Sequence, residues 1–131
     1  MEAAWYDNSE GDSAEGAPLE VIKHKKQIVL YGPPGTGKTF RAKRLAERIV
    51  RSVALAKMGP AKYFQSHEKI NAAVQSNIKR LQLHPAYSYE DFVRGLHISP
   101  AGGTEYRAGY LLRLIDDIEK ETRERRLPYV L

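Results

Sequence analysis

A chain of 131 residues, 42% of them hydrophobic, is long enough for one domain with a core, and its lack of cysteine excludes a disulfide framework, a thiolate metal site and a thiol nucleophile. Residues 1–20 hold six acids and no lysine or arginine, so all 21 basic residues stand against the other ten acids in 21–131, a net of +11. A basic body suits phosphate-bearing ligands, no apolar run approaches the ~18 residues of a membrane span, and the acidic start is unlike a secretory leader.

In chain order, residues 1–17 are acidic and small (Asn8-Ser9-Glu10-Gly11-Asp12-Ser13-Ala14-Glu15-Gly16) and read as a flexible lead-in. Trp5 and Tyr6 could dock locally, at no place the sequence specifies. Pro18 to His24 is expected to form a helical turn. Gln27-Ile28-Val29-Leu30-Tyr31 is a short β-branched run bounded by glycine and proline, which predicts a buried strand.

Gly32-Pro33-Pro34-Gly35-Thr36-Gly37-Lys38-Thr39 follows, a complete G-x-x-x-x-G-K-[ST] phosphate-binding loop. Glycines let backbone N–H groups curl around a phosphate, and Pro33 and Pro34 stiffen the start of the loop. The next helix adds its unpaired N–H groups and the positive end of its dipole. Lys38 is expected to reach the β- and γ-phosphate oxygens as the catalytic cation, and Thr39 to ligate Mg²⁺ through its hydroxyl. Phe40, beside Thr39, completes the expected nucleotide-binding set. A glycine-rich turn that merely joins strand to helix has no use for Gly-Lys-Thr at the helix start.

From Thr39 to about Leu55 the spacing of Phe40, Leu45, Ile49 and Val53 predicts an amphipathic helix, broken at Met58-Gly59-Pro60. A helix is expected over Lys69–Arg80 and a short strand over Leu81-Gln82-Leu83-His84, stopped by Pro85. Ser88 reads as the N-cap of a helix start with Glu90 and Asp91 in its first turn and Phe92 and Val93 facing inward. Leu96–Ser99, Pro100–Gly103 and Thr104–Arg107 predict strand, turn and strand, a small hairpin. Tyr110 to Arg126 predicts a helix with Leu111, Leu114, Ile115 and Ile118 on one face and the pairs Asp116/Lys120, Glu119/Arg123 and Glu121/Arg125 on the other. Leu127-Pro128-Tyr129-Val130-Leu131 reads as the beginning of a strand beside the loop. His67, His84 and His97 lack metal-ligand spacing. The basic residues are dispersed along several helices without base-stacking aromatics between them, so a solvated basic surface is expected, with DNA contact as the alternative.

Leu81-Gln82-Leu83-His84-Pro85-Ala86-Tyr87-Ser88-Tyr89-Glu90-Asp91-Phe92-Val93-Arg94-Gly95 resembles a characteristic segment of McrB-like AAA+ NTPases, the motor subunits of modified-cytosine restriction systems and their dynein-related kin. With the loop and the stretch from Tyr106 to Leu131, the resemblance covers roughly residues 19–131. It implies an α/β fold, a three-layer P-loop NTPase core present in part, with parallel central strands and a small β-hairpin insertion. Residues 1–17 would be the acidic tail and 18–131 the N-terminal portion of the AAA+ domain. It further implies ATP as substrate (GTP as the alternative), Mg²⁺, a homo-oligomeric ring and a nuclease partner subunit. With neither a membrane span nor a secretory leader in the sequence, a soluble cytoplasmic protein without a membrane anchor is the expectation. The family's Asp-Glu pair, Asn-Arg, sensors and arginine finger would lie beyond Leu131, which makes weak hydrolysis by these 131 residues the expectation. Thr36, in place of a valine associated with GTP use, tilts the reading to ATP. Two other readings stand beside it, a P-loop kinase of small molecules and a nucleotide-binding segment without catalytic activity.

Overall fold

A computed structural model describes residues 4–7, 16–100, 102–122 and 126–131. The chain divides into two compact units, residues 1–78 with Val130, and residues 79–129 with Leu131.

In the first unit β1 (Ala4–Asp7) pairs in parallel with β2 (Ile28–Tyr31), Ala4 opposite Ile28 and Asp7 opposite Tyr31. Parallel strands need a crossover, and α1 (Gly16–Lys25) lies within it. A strand at Ala4–Asp7 corrects the reading of 1–17 as a wholly flexible lead-in; residues 8–15 lie outside the described residues. Pairing with β2 supplies what the local composition does not signal, a hydrogen-bonded neighbour. β2 is also less buried than expected, with Val29 38% and Tyr31 65% exposed.

The longest helix, α2, spans Lys38–Gln65 and is interrupted at Gly59, whose φ of 74° and ψ of 164° are not helical. Pro60 follows, where its fixed φ suits the first turn of a resumed helix, so the break expected at Met58–Pro60 is there and a short second piece continues beyond it. α3 (His67–Asn77) packs on α2. Leu45, Ala46, Val50 and Ala54 of α2 are buried, as are Ile70 and Val74 of α3. This shifts the expected apolar stripe by about one residue. Ala46 and Ala54, too small to stand out in a hydrophobic pattern, let the helices approach, whereas Phe40 is 63% exposed. Beyond α3, Ile78 makes an isolated parallel bridge to Val130, and Val130 N–H donates to the Asn77 carbonyl at 3.0 Å. The apolar end 127–131 thus contributes one bridge here, and its bridge partner is Ile78 and not the loop strand.

In the second unit residues 81–84 form no strand. Leu83 is 68% exposed, and alternation alone cannot make a strand without a pairing partner. Pro85 instead starts a turn in which Tyr87 N–H donates to the His84 carbonyl at 2.8 Å. α4 (Tyr89–Phe92) is a single turn closed by a capping box. Asp91 N–H donates to Ser88 Oγ at 3.2 Å, and Ser88 N–H donates back to Asp91 Oδ2 at 3.1 Å. The Ser88 hydroxyl also donates to Asp91 Oδ2 at 3.0 Å, and the two bonds to the carboxylate, the one from Ser88 N–H first and the one from its hydroxyl second, hold the Asp91 carboxyl below its ordinary range. A group with a lowered folded pKa stabilises above its unfolded value and loses that contribution as pH falls through the folded one. Ser88→Ala should therefore raise the Asp91 pKa partway towards its ordinary value, as read by NMR titration, because the backbone donor remains. An unmoved pKa would rule the hydroxyl out as a cause.

β3 (Arg94–Ile98) and β4 (Thr104–Ala108) form the expected hairpin, antiparallel with Leu96 opposite Tyr106. Its base is clamped by glycine. Gly109 N–H donates to the Val93 carbonyl at 2.7 Å, and a Cβ on Gly109 would lie 2.6 Å from the Asp91 carbonyl oxygen and the Phe92 carbonyl carbon. Backbone cannot move aside as a side-chain tip can, so Gly109→Ala should cost about 1–3 kcal/mol, read as a lower urea midpoint; an unchanged midpoint would show that the clamp yields freely.

α5 (Tyr110–Glu119) follows, shorter than the expected helix to Arg126. Leu114 is buried while Ile115 remains 39% exposed. Lys120 Nζ bonds Asp117 at 2.7 Å, three residues back, and not the expected Asp116. The other two expected pairs involve Arg123 and Arg125, which lie outside the described residues.

Candidate functional site

Tyr31 ends β2 and Lys38 begins α2, so Gly32 to Gly37 must turn the chain from strand into helix. Gly32, Gly35 and Gly37 do so with φ of 149°, 80° and 75°, backbone that side chains with a Cβ rarely adopt. A Cβ on Gly35 or Gly37 would meet no protein atom within 4 Å. The requirement for glycine there is conformational, and the space in front of the backbone is open.

Gly37 is the N-cap of α2 and makes no side-chain cap. The first helical bond runs from Arg41 N–H to the Gly37 carbonyl at 2.9 Å. N–H groups of the first turn have no acceptor within a helix, and the positive end of the dipole lies at the same place. Lys38 folds back over the loop. Its ammonium donates to the Gly32 carbonyl at 2.9 Å and the Pro33 carbonyl at 2.5 Å, with Thr36 Oγ1 at 3.4 Å. Thr36 Oγ1 itself donates to the Pro33 carbonyl at 2.9 Å. The cation is thus held by neutral dipoles. A phosphate oxygen offers it a charged partner, a hydrogen bond roughly twice as strong.

Thr39 is exposed in the first turn of α2. Mg²⁺ suits such a position, because it commonly takes one or two protein oxygens together with substrate phosphates and water. Among the described residues no group of three or more His, Cys, Asp or Glu could hold a metal. A single exposed hydroxyl beside the loop is a donor that fits a metal arriving with a nucleotide. Mg²⁺ bound there would neutralise phosphate charge. Phe40 lies beside the loop with the Arg44 guanidinium 5.7 Å from its ring centroid.

All eight loop residues, Gly32 to Thr39, are brought into one turn. Glu90 and Asp91 stand on α4 and Asp116 and Asp117 on α5, so these acids stay on helices as the pattern implied. Asp7 was missed. Its register opposite Tyr31 sets it at the carboxyl end of β1, level with the residue before Gly32. The aromatic pair Trp5-Tyr6 inside an acidic stretch was the signal that could have revealed the strand.

Residues 28–85 match the model of the ATPase family associated with various cellular activities (AAA). The match runs from β2 to Pro85 and stops short of the β3–β4 hairpin. The chain is 37% identical over 84 residues, 64% of its length, to the Type IV methyl-directed restriction enzyme EcoKMcrB subunit of Escherichia coli. It is 31% identical over 84 residues to RuvB-like helicase 1 of Aedes aegypti and 29% identical to RuvB-like protein 1 of Arabidopsis thaliana, over 61% of the chain in each case. The matched stretch spans 14% of the McrB subunit and 18% of each RuvB-like protein. No solved structure matches significantly. No helix among the described residues is long and apolar enough to cross a membrane.

Proposed function

We propose, on the premise that this chain is an McrB-like segment of an AAA-family ATPase, that it holds Mg²⁺-ATP at Gly32–Thr39. The nucleotide-holding part would serve a motor that couples hydrolysis to DNA restriction or to remodelling of a partner. The observation that carries the reading is the loop itself. Three glycines at positive φ open a backbone concavity at the start of α2, and Lys38 is already folded over it. In this reading the backbone N–H groups of Gly35 to Thr39 seat the β-phosphate, and Lys38 exchanges carbonyls for β- and γ-oxygens. Thr39 takes one position on Mg²⁺, and Phe40 borders the nucleotide. β2 and β1 would belong to a parallel central sheet within a three-layer core. A homo-oligomeric ring, a nuclease partner and DNA as the object of the motor belong to the same reading, which the likeness to a restriction-enzyme subunit supports.

ATP is favoured over GTP because Thr36, bonded to Pro33, sits within a loop typical of ATP-using AAA+ proteins. Competition of unlabelled ATP and GTP against a fluorescent ATP analogue should show ATP binding at least as well. A clear preference for GTP would place the chain with GTP-driven restriction motors, and no binding of either would remove the nucleotide reading altogether.

A further inference from the structure

Thr36 stands between two glycines in left-handed backbone, Gly35 at φ 80° and Gly37 at φ 75°. Pro33-Pro34-Gly35-Thr36 has the pattern of a type II turn, with proline second and a glycine at positive φ third. Such a turn brings its fourth residue back to its first, and Thr36 Oγ1 donates to the Pro33 carbonyl at 2.9 Å. The two prolines also aim that carbonyl. Each ring fixes its own φ, and Pro34 confines Pro33 to an extended ψ, so the oxygen cannot swing far.

The Pro33 carbonyl has a second side-chain donor. Lys38 Nζ bonds it at 2.5 Å and the Gly32 carbonyl at 2.9 Å. Thr36 Oγ1 lies 3.4 Å from the same ammonium, long for a hydrogen bond. Thr36 is thus bound firmly to the oxygen that Lys38 shares with it, and only weakly to Lys38 itself.

We infer that Thr36 is a positioning residue for the phosphate site: its hydroxyl keeps hold of the Pro33 carbonyl when Lys38 leaves that carbonyl for phosphate oxygens. This role rests on the nucleotide reading of Gly32–Thr39 and adds what lowers the cost of the exchange. Without the hydroxyl, the departing ammonium leaves the carbonyl with neither side-chain donor while anionic oxygens arrive nearby. A polar group left unsatisfied costs more than an ordinary hydrogen bond contributes. With the hydroxyl present, one side chain stays on Pro33 before and after binding, and the turn keeps its closure.

Titration of the fluorescent ATP analogue, with Mg²⁺, into the full chain carrying Thr36→Val or Thr36→Ser tests this, each with Lys38 intact and with Lys38→Ala. Valine keeps the branched shape and removes the hydroxyl; serine keeps the hydroxyl. Thr36→Val should weaken binding roughly 3- to 10-fold, the range of one neutral hydrogen bond, and Thr36→Ser less than about 2-fold. In the Lys38→Ala background no ammonium leaves the carbonyl. Thr36→Val should there change affinity by less than about 2-fold, a coupling that the double-mutant cycle reads directly. Thr36 is exposed, so the melting midpoint without nucleotide should be the same in both Thr36 variants. A role in holding the fold alone would lower that midpoint and weaken binding equally in the two backgrounds. Unchanged affinity in Thr36→Val, an equal loss in Thr36→Ser, or an equal loss with and without Lys38 would overturn the assignment. The nucleotide reading fails separately, on absence of ATP-analogue binding by the unaltered chain, and would take the role of Thr36 with it.

Discussion

Phosphate release by the 131-residue chain at saturating Mg²⁺-ATP should be slow, about 10⁻² s⁻¹ or less, at least ~10³-fold under an ordinary enzymatic turnover of about 10 s⁻¹. Lys38 and Thr39 suffice to hold phosphates and one side of a metal. Hydrolysis needs two further things, a carboxylate that orients water and a cation that meets charge developing in the transition state. In open α/β sheets reacting groups gather at the carboxyl ends of strands. Among the described acids of the first unit, Glu20, Glu47 and Glu68 lie on helices, and Asp7 alone stands at a strand end. Asp7 is level with Tyr31, at the start of the loop, whereas Thr39 lies at its far end. A supplied arginine is worth ~10³–10⁵ in rate, and the arginines of α2 stand on the flank away from its buried face. Turnover near 1 s⁻¹ would contradict this account. Its loss in Asp7→Asn would then assign the water-orienting carboxylate to β1.

Lys38→Ala should weaken binding of the fluorescent ATP analogue by roughly 10- to 100-fold, the equivalent of a charged hydrogen bond worth about 1.5–3 kcal/mol. The half-buried Lys38 lies at the junction of loop and helix and is not among the core side chains. The far-ultraviolet circular dichroism spectrum and the melting midpoint should therefore stay close to those of the unaltered chain. Some loosening of the loop is expected, since the ammonium now bonds the Gly32 and Pro33 carbonyls. Unchanged affinity in a folded Lys38→Ala protein would mean that the nucleotide sits elsewhere.

Features whose cause is local were legible in the sequence. The glycine loop needs particular backbone angles at particular positions, so Gly32, Gly35 and Gly37 announce it. Ser88 caps α4 through neighbours three residues away, and the break at Gly59-Pro60 is written in those two residues. The β3–β4 hairpin likewise closes over its own turn. Features that depend on distant partners were misread. Residues 81–84 alternate as a strand does but find nothing to pair with, while Ala4–Asp7 hides among acids and finds β2. The buried stripe of α2 uses alanines, which a search for large apolar residues passes over. The end of α5 at Glu119 has no breaker, and favourable charge pairs were too weak, at ~0.2–0.5 kcal/mol each, to carry it further.

The two units also differ in how the chain must close on itself. Ile98 and Thr104 meet across six positions, whereas Ala4 and Ile28 are 24 apart. Hairpins of the first kind form in ~1–10 μs, while pairing across a longer crossover must first overcome the entropy of closing it. The phosphate loop hangs from the carboxyl end of β2, so it acquires its curvature only after this slower event. A nucleotide recognises the finished loop and has little hold on the half-formed chain. Its signature in kinetics would be slower unfolding at an almost unaltered refolding rate.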